Sequence, residues 1–256
     1  MKAPPIEIHR SLADWQIARR GPRFTGSIGF VPTMGALHRG HRALLDRARS
    51  ENDRVVLSIF VNPAQFNDPA DLEKYPRTLE ADLALAAGAA TDVILPETAE
   101  LYPEGYRYRV TETELSRVLE GAHRPGHFDG VLTVVLKLLN VVRAHRAYFG
   151  EKDWQQLELV RGMAAALFLT TEVIACATVR DGDGLALSSR NARLSPDGRT
   201  RANRFPQILA ASSDTRTAAA ELGIAGFDVD YVEDRQGRRL GAVRLEGIRL
   251  IDNVRL

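Results

Sequence analysis

Ile28-Gly29-Phe30-Val31-Pro32-Thr33-Met34-Gly35-Ala36-Leu37-His38-Arg39-Gly40-His41 is the stretch on which the fold turns. A short apolar run ends at Pro32, a glycine-containing loop follows, and a helical pattern runs over about residues 40–50. Residues 55–61 are then apolar apart from Ser58, as a strand covered on both faces should be. Strand, loop, helix and buried strand in that order describe one unit of a parallel sheet wrapped by helices.

The alternation continues outward. A helix is predicted over 79–87 and a strand over 92–95. Val131, Val134, Val135, Leu138, Leu139 and Val142 fall on one helical stripe. Strands at 147–149 and 171–178 flank a helix at 153–168. Crossover handedness favours a doubly wound sheet, and the repeats are too few for an eight-unit barrel. Composition shifts near residue 195. One alanine-rich helix is expected over 199–222, then short antiparallel strands at 227–232, 239–245 and 248–251. The division expected is residues 1–186 as an α/β nucleotide-binding domain and 187–256 as a smaller α+β domain.

The bulk numbers narrow the class. The chain has 256 residues, 45% hydrophobic and 26% charged, with a formal net charge of +1. That balance gives no reason to expect a nucleic-acid or membrane partner, and an anionic ligand would have to be held by a local cluster. Cys176 is the single cysteine, set in an apolar run that reads as a buried strand rather than a reactive thiol. Met1-Lys2-Ala3-Pro4-Pro5 lacks an apolar leader core, and no run approaches the ~18–20 apolar residues of a membrane span. The cytoplasm is the expected compartment.

Five segments carry polar chemistry at strand-to-helix junctions, where open α/β sheets bind ligands. In the first, Gly35 and Gly40 allow close backbone approach, the helix start favours phosphate, and His38 and His41 share one face. The second, Val61-Asn62-Pro63-Ala64-Gln65-Phe66 with Tyr75 beyond, presents amides that can both donate and accept. The third, His123-Arg124-Pro125-Gly126-His127-Phe128-Asp129-Gly130, opens the 131–142 helix with cationic groups. The fourth, Phe149-Gly150-Glu151-Lys152-Asp153-Trp154-Gln155-Gln156, offers a phosphate-binding lysine and an N-cap at Asp153. The fifth, from Val179 through Leu187-Ser188-Ser189-Arg190-Asn191, sets two hydroxyls beside a guanidinium. Its Asp181-Gly182-Asp183-Gly184 run lacks the acidic twelfth position of a calcium loop.

Together these segments resemble the pantothenate synthetase family. The match runs from about Phe30 to Asn191 and resumes at Asp230-Tyr231-Val232-Glu233 and Arg249-Leu250-Ile251-Asp252-Asn253. His38-Arg39-Gly40-His41 is similar to an element shared by a wider nucleotidyltransferase superfamily. The Asn62–Gln65, Gly150–Asp153 and Leu187–Asn191 segments are more specific. The resemblance implies a Rossmann-like doubly wound sheet with a C-terminal α+β lid. It implies a two-step ligase: pantoate carboxylate attacks the α-phosphate of Mg-ATP, and β-alanine then displaces AMP. The implied catalytic residues are His41, His38 and Lys152. Those implied at ATP are Met34, Gly35, Ala36, Leu37, His38, Arg39, Gly40, His41, Gly150, Glu151, Lys152, Asp153, Val179, Leu187, Ser188, Ser189 and Arg190. Gln65 and Gln156 would hold pantoate, with Asn62, Tyr75 and Arg124 in support. Mg²⁺ would ride largely on ATP oxygens and water, with Asp82 as its candidate protein ligand. A homodimer is implied, and the region after Asn191 is shorter than the family's usual lid. The competing readings are a nucleotidyl transfer to a phosphorylated acceptor and a non-catalytic nucleotide-binding regulator.

Overall fold

A computed structural model describes residues 5–22 and 24–256. The N-terminal residues 1–4, part of the stretch read as lacking a leader, lie outside the described residues. Six strands form one wholly parallel sheet: β1 (Glu7–His9), β2 (Ile28–Thr33), β3 (Arg54–Ile59), β4 (Asp92–Ile94), β5 (Arg146–Gly150) and β6 (Glu172–Cys176). Their order is β1-β4-β3-β2-β5-β6. The connections contain helices α1 (Leu12–Arg19), α2 (Arg39–Glu51), α3 (Pro69–Glu73), α4 (Leu79–Ala86), α5 (Thr98–Leu101), α6 (Glu120–His123), α7 (His127–Val142) and α8 (Trp154–Ala166). The expected α/β doubly wound architecture is what forms.

Strand alternation feeds two cores. Phe30, Val56, Ala147 and Phe149 pack into one with Trp15, Leu138 and Leu157. Val31, Val55, Leu57 and Tyr148 turn to the other with Leu45 and Ala86. Burial on both faces is why these strands read as unbroken apolar runs. From β2 the chain winds outward to β3 and β4, then returns to β5 on β2's other side, so the winding reverses between β2 and β5. β2 pairs with β3 over six residues but with β5 over only Gly29↔Arg146 and Phe30↔Ala147. The two strands therefore part towards their carboxyl ends and leave a crevice there.

Beyond residue 195 come α9 (Pro196–Ala202), α10 (Arg204–Ala211) and α11 (Thr215–Ile224), then an antiparallel sheet of β7 (Asp228–Arg235), β8 (Arg238–Leu245) and β9 (Ile248–Arg255). The single helix expected over 199–222 is a correction. Asn203 ends one helix, and Ser212-Ser213-Asp214 interrupts the next, where the Asp214 side chain caps α11 by accepting from Thr217 N at 2.8 Å. Phe205, Leu209, Leu222, Val243, Leu245 and Leu250 form this region's core. Leu185 also packs there, so the chain joins this core slightly before residue 187. The sequence reading also missed β1 and α1, whose anchoring is long-range: His9 bonds Asp92, and the Trp15 indole donates to Val141 O at 3.0 Å.

Candidate active site

The crevice holds a cavity of about 310 Å³. Its floor is apolar, from Val131, Val135 and Leu138 of α7 with Phe60 and Phe149. Tyr231, Leu240, Ile251, Asp252 and Asn253 of the C-terminal sheet line it from above. An apolar floor under walls rich in converging polar and charged groups suits a small polar, charged metabolite.

His38 is the N-cap of α2 and His41 its third residue. Gly40 N donates to His38 Nδ1 at 3.1 Å, and His38 N donates to His41 Nδ1 at 3.2 Å. Each Nδ1 thus accepts from a backbone amide, which leaves the ring proton on Nε2. Burial holds His38 down to about 4, with the Lys152 charge adding to the effect. Burial and then the neighbouring His38 hold His41 down to about 3. Both rings are therefore neutral at physiological pH, with their centroids 4.1 Å apart. They can donate hydrogen bonds from Nε2, but neither starts as an imidazolium acid. Gly40 is required by close approach: a Cβ there would stand 2.8 Å from His38 Cε1.

Asn62 and Gln65 follow β3. The Asn62 amide donates to Gln65 Oε1 at 3.0 Å and to Gly130 O at 3.1 Å. Its oxygen accepts from Tyr102 Oη at 2.8 Å and Ala64 N at 3.3 Å. Two donors and two acceptors exhaust its capacity, so Asn62 aligns Gln65 and has nothing left for a substrate. Gln65 borders the cavity, its amide nitrogen 3.1 Å from Met34 Sδ. Gln155 is spent on Leu115 O, Val118 O and Glu120 N. Gln156 lines the cavity without a protein hydrogen bond among the described residues.

The 123–130 loop is not a solvated basic loop. His127 is buried, its Nδ1 2.8 Å from Gln65 O and its Nε2 3.0 Å from Arg124 Nη1. That carbonyl can only accept, so His127 donates from Nδ1 and its Nε2 accepts from Arg124. Burial, then the Arg124 charge, lowers His127 to about 4. Arg124 makes no ion pair among the described residues, and burial with the nearby Arg190 charge lowers it to about 10. An unpaired, largely desolvated guanidinium at a cavity wall is an anion receptor. Reading the loop by charge alone hid His127; its place one turn before the apolar stripe was the available signal.

Gly150, Lys152, Asp153, Val179, Leu187, Ser188, Ser189, Arg190, Tyr75 and Met34 also line the cavity. The Lys152 ammonium is 3.6 Å from Asp153 Oδ1. Arg190 lies 3.5 Å from Asp71 Oδ2. Burial raises the Tyr75 phenol, offset in part by Arg190 and Ser189 beside it.

Five residues expected at ATP are turned away. Arg39 is largely exposed and pairs with Asp181 on the outer surface. Glu151 faces Arg238 and Arg255 of the C-terminal sheet. Gly35, Ala36 and Leu37 form the supporting loop behind the histidines, with φ of +80° and +49° at the first two. Ala36 N and Leu37 N donate to the Asp82 carboxylate at 3.1 and 2.7 Å. Asp82 is buried, accepts from Thr78 as well and does not line the cavity, so it staples this loop rather than reaching a cavity ligand.

The metal donor set is thin. Among the cavity carboxylates, Glu120 is held by Arg249 and Tyr231, Asp252 by Arg180, and Asp71 by Arg190 and Arg193, while Asp153 has only the 3.6 Å contact with Lys152 among the described residues and no second carboxylate grouped with it. The cluster Glu7, His9 and Asp92 lies away from the cavity, and its aspartate already accepts from His9, Thr91 and Arg54. The described residues therefore offer no caged divalent site, which fits an ion that arrives on phosphate oxygens with its own water. No helix among them is long and apolar enough to cross a membrane.

Against known proteins, the family model for pantoate-beta-alanine ligase matches residues 6–255. The pantothenate synthetase of Bdellovibrio bacteriovorus is 53% identical over 251 residues, covering 98% of this chain and 99% of that protein. The pantothenate synthetase of Cereibacter sphaeroides is 47% identical over 282 aligned positions, covering 98% of this chain and 99% of its own. Its alignment thus carries insertions, whereas the compact length is shared with the Bdellovibrio relative. The crystal structure of a pantoate-beta-alanine ligase from Francisella tularensis, complexed with beta-gamma ATP and beta-alanine, superposes with a TM-score of 0.92 at 38% identity. It covers 98% of this chain and 97% of that one.

Proposed function

The chain belongs to the pantoate–β-alanine ligase family, and we propose that the crevice between β2 and β5 is where it works. The enzyme condenses (R)-pantoate with β-alanine at the expense of ATP through a pantoyl-adenylate, releasing AMP and pyrophosphate. The carrying observation is the neutral histidine pair beside Lys152, with both Nδ1 atoms committed to the backbone.

In the first step a pantoate carboxylate oxygen bonds the α-phosphorus, and the bond to the β-phosphate bridging oxygen breaks. His38 and His41 offer Nε2–H donors to the phosphate oxygens, and Lys152, Ser188, Ser189 and Arg190 add charge and hydroxyls. Charge that builds up in the transition state meets donors already in place. Gln65 and Gln156 orient pantoate. Mg²⁺ bound to ATP would further neutralise the phosphates. In the second step the neutral β-alanine nitrogen attacks the acyl carbon, the carbon–oxygen bond to AMP breaks, and the proton lost by the nitrogen goes to the departing AMP phosphate oxygen or to water. Arg124 suits the β-alanine carboxylate, being a cation with no protein anion. Residues 187–256 act as the lid. A homodimer and a cytoplasmic location belong to the same reading.

Purified protein with Mg-ATP is assayed for pyrophosphate, adding pantoate and β-alanine separately and together. Release that depends on pantoate, with AMP and pantothenate formed only when β-alanine is also present, is expected. Release independent of pantoate would overturn the substrate assignment.

A further inference from the structure

Asn253, near the end of β9, is buried in the C-terminal sheet, yet its amide nitrogen is spent on the turn Glu151–Asp153 that follows β5. One side-chain nitrogen donates to Glu151 O at 2.9 Å and to Lys152 O at 3.0 Å. The Asn253 oxygen accepts from Arg238 Nη1 at 2.7 Å, and Arg238 Nη2 pairs with the Glu151 carboxylate at 2.8 Å. The short turn that carries Lys152 is thus gripped by its backbone and by its neighbour's side chain. The next residue inward repeats the device. Asp252 takes Arg180 in a two-pronged pair at 2.7 and 2.9 Å, and Arg180 Nη2 also donates to Asn253 O at 3.1 Å. Arg180 adjoins Val179, whose carbonyl accepts from Leu187 N at 3.0 Å.

The geometry points to Asn253 as a positioning residue that sets the Lys152 ammonium by holding the backbone beneath it. A lysine side chain is long and flexible, and among the described residues the Lys152 ammonium has only a 3.6 Å contact with Asp153 to steer it. The position of its backbone is therefore the main control on where its charge falls. A shift of about 1 Å in a positioned charge can cost on the order of 100-fold in rate. The C-terminal sheet does more than cover the site: its docking places a first-step cation. This inference rests on the reading of Lys152 as a phosphate-binding group.

The test is a double-mutant cycle in the full-length protein, read by pyrophosphate release in the first half-reaction. Asn253→Ala is expected to slow adenylate formation ~10- to 100-fold, with KM for pantoate little moved. AMP release from supplied pantoyl-adenylate and β-alanine should stay within about threefold. In a Lys152→Ala background the same substitution should have almost no further effect, because it acts through that lysine. Equal losses in both backgrounds, or parallel losses in both half-reactions, would overturn the positioning role. A Lys152→Ala protein with unimpaired adenylation would instead overturn the reading beneath it. Should Asn253→Ala fold poorly, Asn253→Asp keeps the volume and the Arg238 contact while losing both donors, and the same cycle applies.

Discussion

At the scale of the residue, the histidine pair makes a pH signature. His38, His41 and His127 fall to about 4, 3 and 4 in the folded protein, against an ordinary value of 6.5. Below 6.5 the unfolded chain takes up protons that the folded chain refuses, so stability must fall with pH in that window, and it must be flat above about 7. Between pH 6.5 and 5 most carboxylates are still ionised, so the slope there belongs to the histidines. Thermal melts of the ligand-free protein should show it, and His41→Asn should make it shallower, with His38 and His127 left to carry the rest. Histidine ¹⁵N spectra at pH 6 should find both site rings neutral and protonated on Nε2. Much of this chemistry was legible: paired histidines at a helix start, with Gly40 between them, already point to phosphate. The tautomer was not, because it depends on backbone amides whose direction only the folded loop sets. Asn62 was misjudged for a related reason. Residue type told that an amide stood there, but only Tyr102, Gly130 and Gln65 arriving from elsewhere tell that its capacity is used up.

Among the elements, α7 meets the 3-10 turn Pro63–Gln65 at close range. A Cβ on Gly130 would lie 2.3 Å from Ala64 O and 2.7 Å from Gln65 N, both backbone atoms. Gly130→Ala must therefore push that turn away, which overpacking data place at about 1–3 kcal/mol. The turn carries Gln65, so KM for pantoate should rise several-fold while the protein melts at lower temperature. An unchanged KM would show that Gln65 does not depend on this contact. Strand–helix alternation was readable from residue 28 onward because the central strands β2, β3 and β5 are apolar and largely buried and α7 shows a clear stripe. It failed at Glu7–Arg19, where a three-residue strand carries too little pattern and its anchors lie far along the chain. It failed again over residues 199–222, where alanine content masked the Ser212-Ser213-Asp214 break.

Across the whole molecule, two of the contacts that join the large sheet to the C-terminal one should behave differently. Arg39 of α2 meets Asp181, which also meets Arg199 of α9. This network is exposed, and exposed pairs contribute only about 0–1 kcal/mol and are screened by salt. Arg39→Ala should keep adenylation within about twofold and shift the melting temperature little; a large loss would return Arg39 to the phosphate site from which its orientation removes it. The Asp252 and Asn253 contacts are buried and hydrogen-bonded throughout. Their location has a temporal side. The parallel sheet is complete at Cys176, whereas the residues that grip its lysine turn lie on the last strand of the second sheet. At about 5–20 residues per second of synthesis, the interval between them is roughly 4–15 s. During that time a nascent chain can hold an assembled histidine pair while its lysine turn is still unheld. On that positioning role, adenylate formation reaches its full rate only once the later sheet has docked, and the slow interval falls while the chain is still being made.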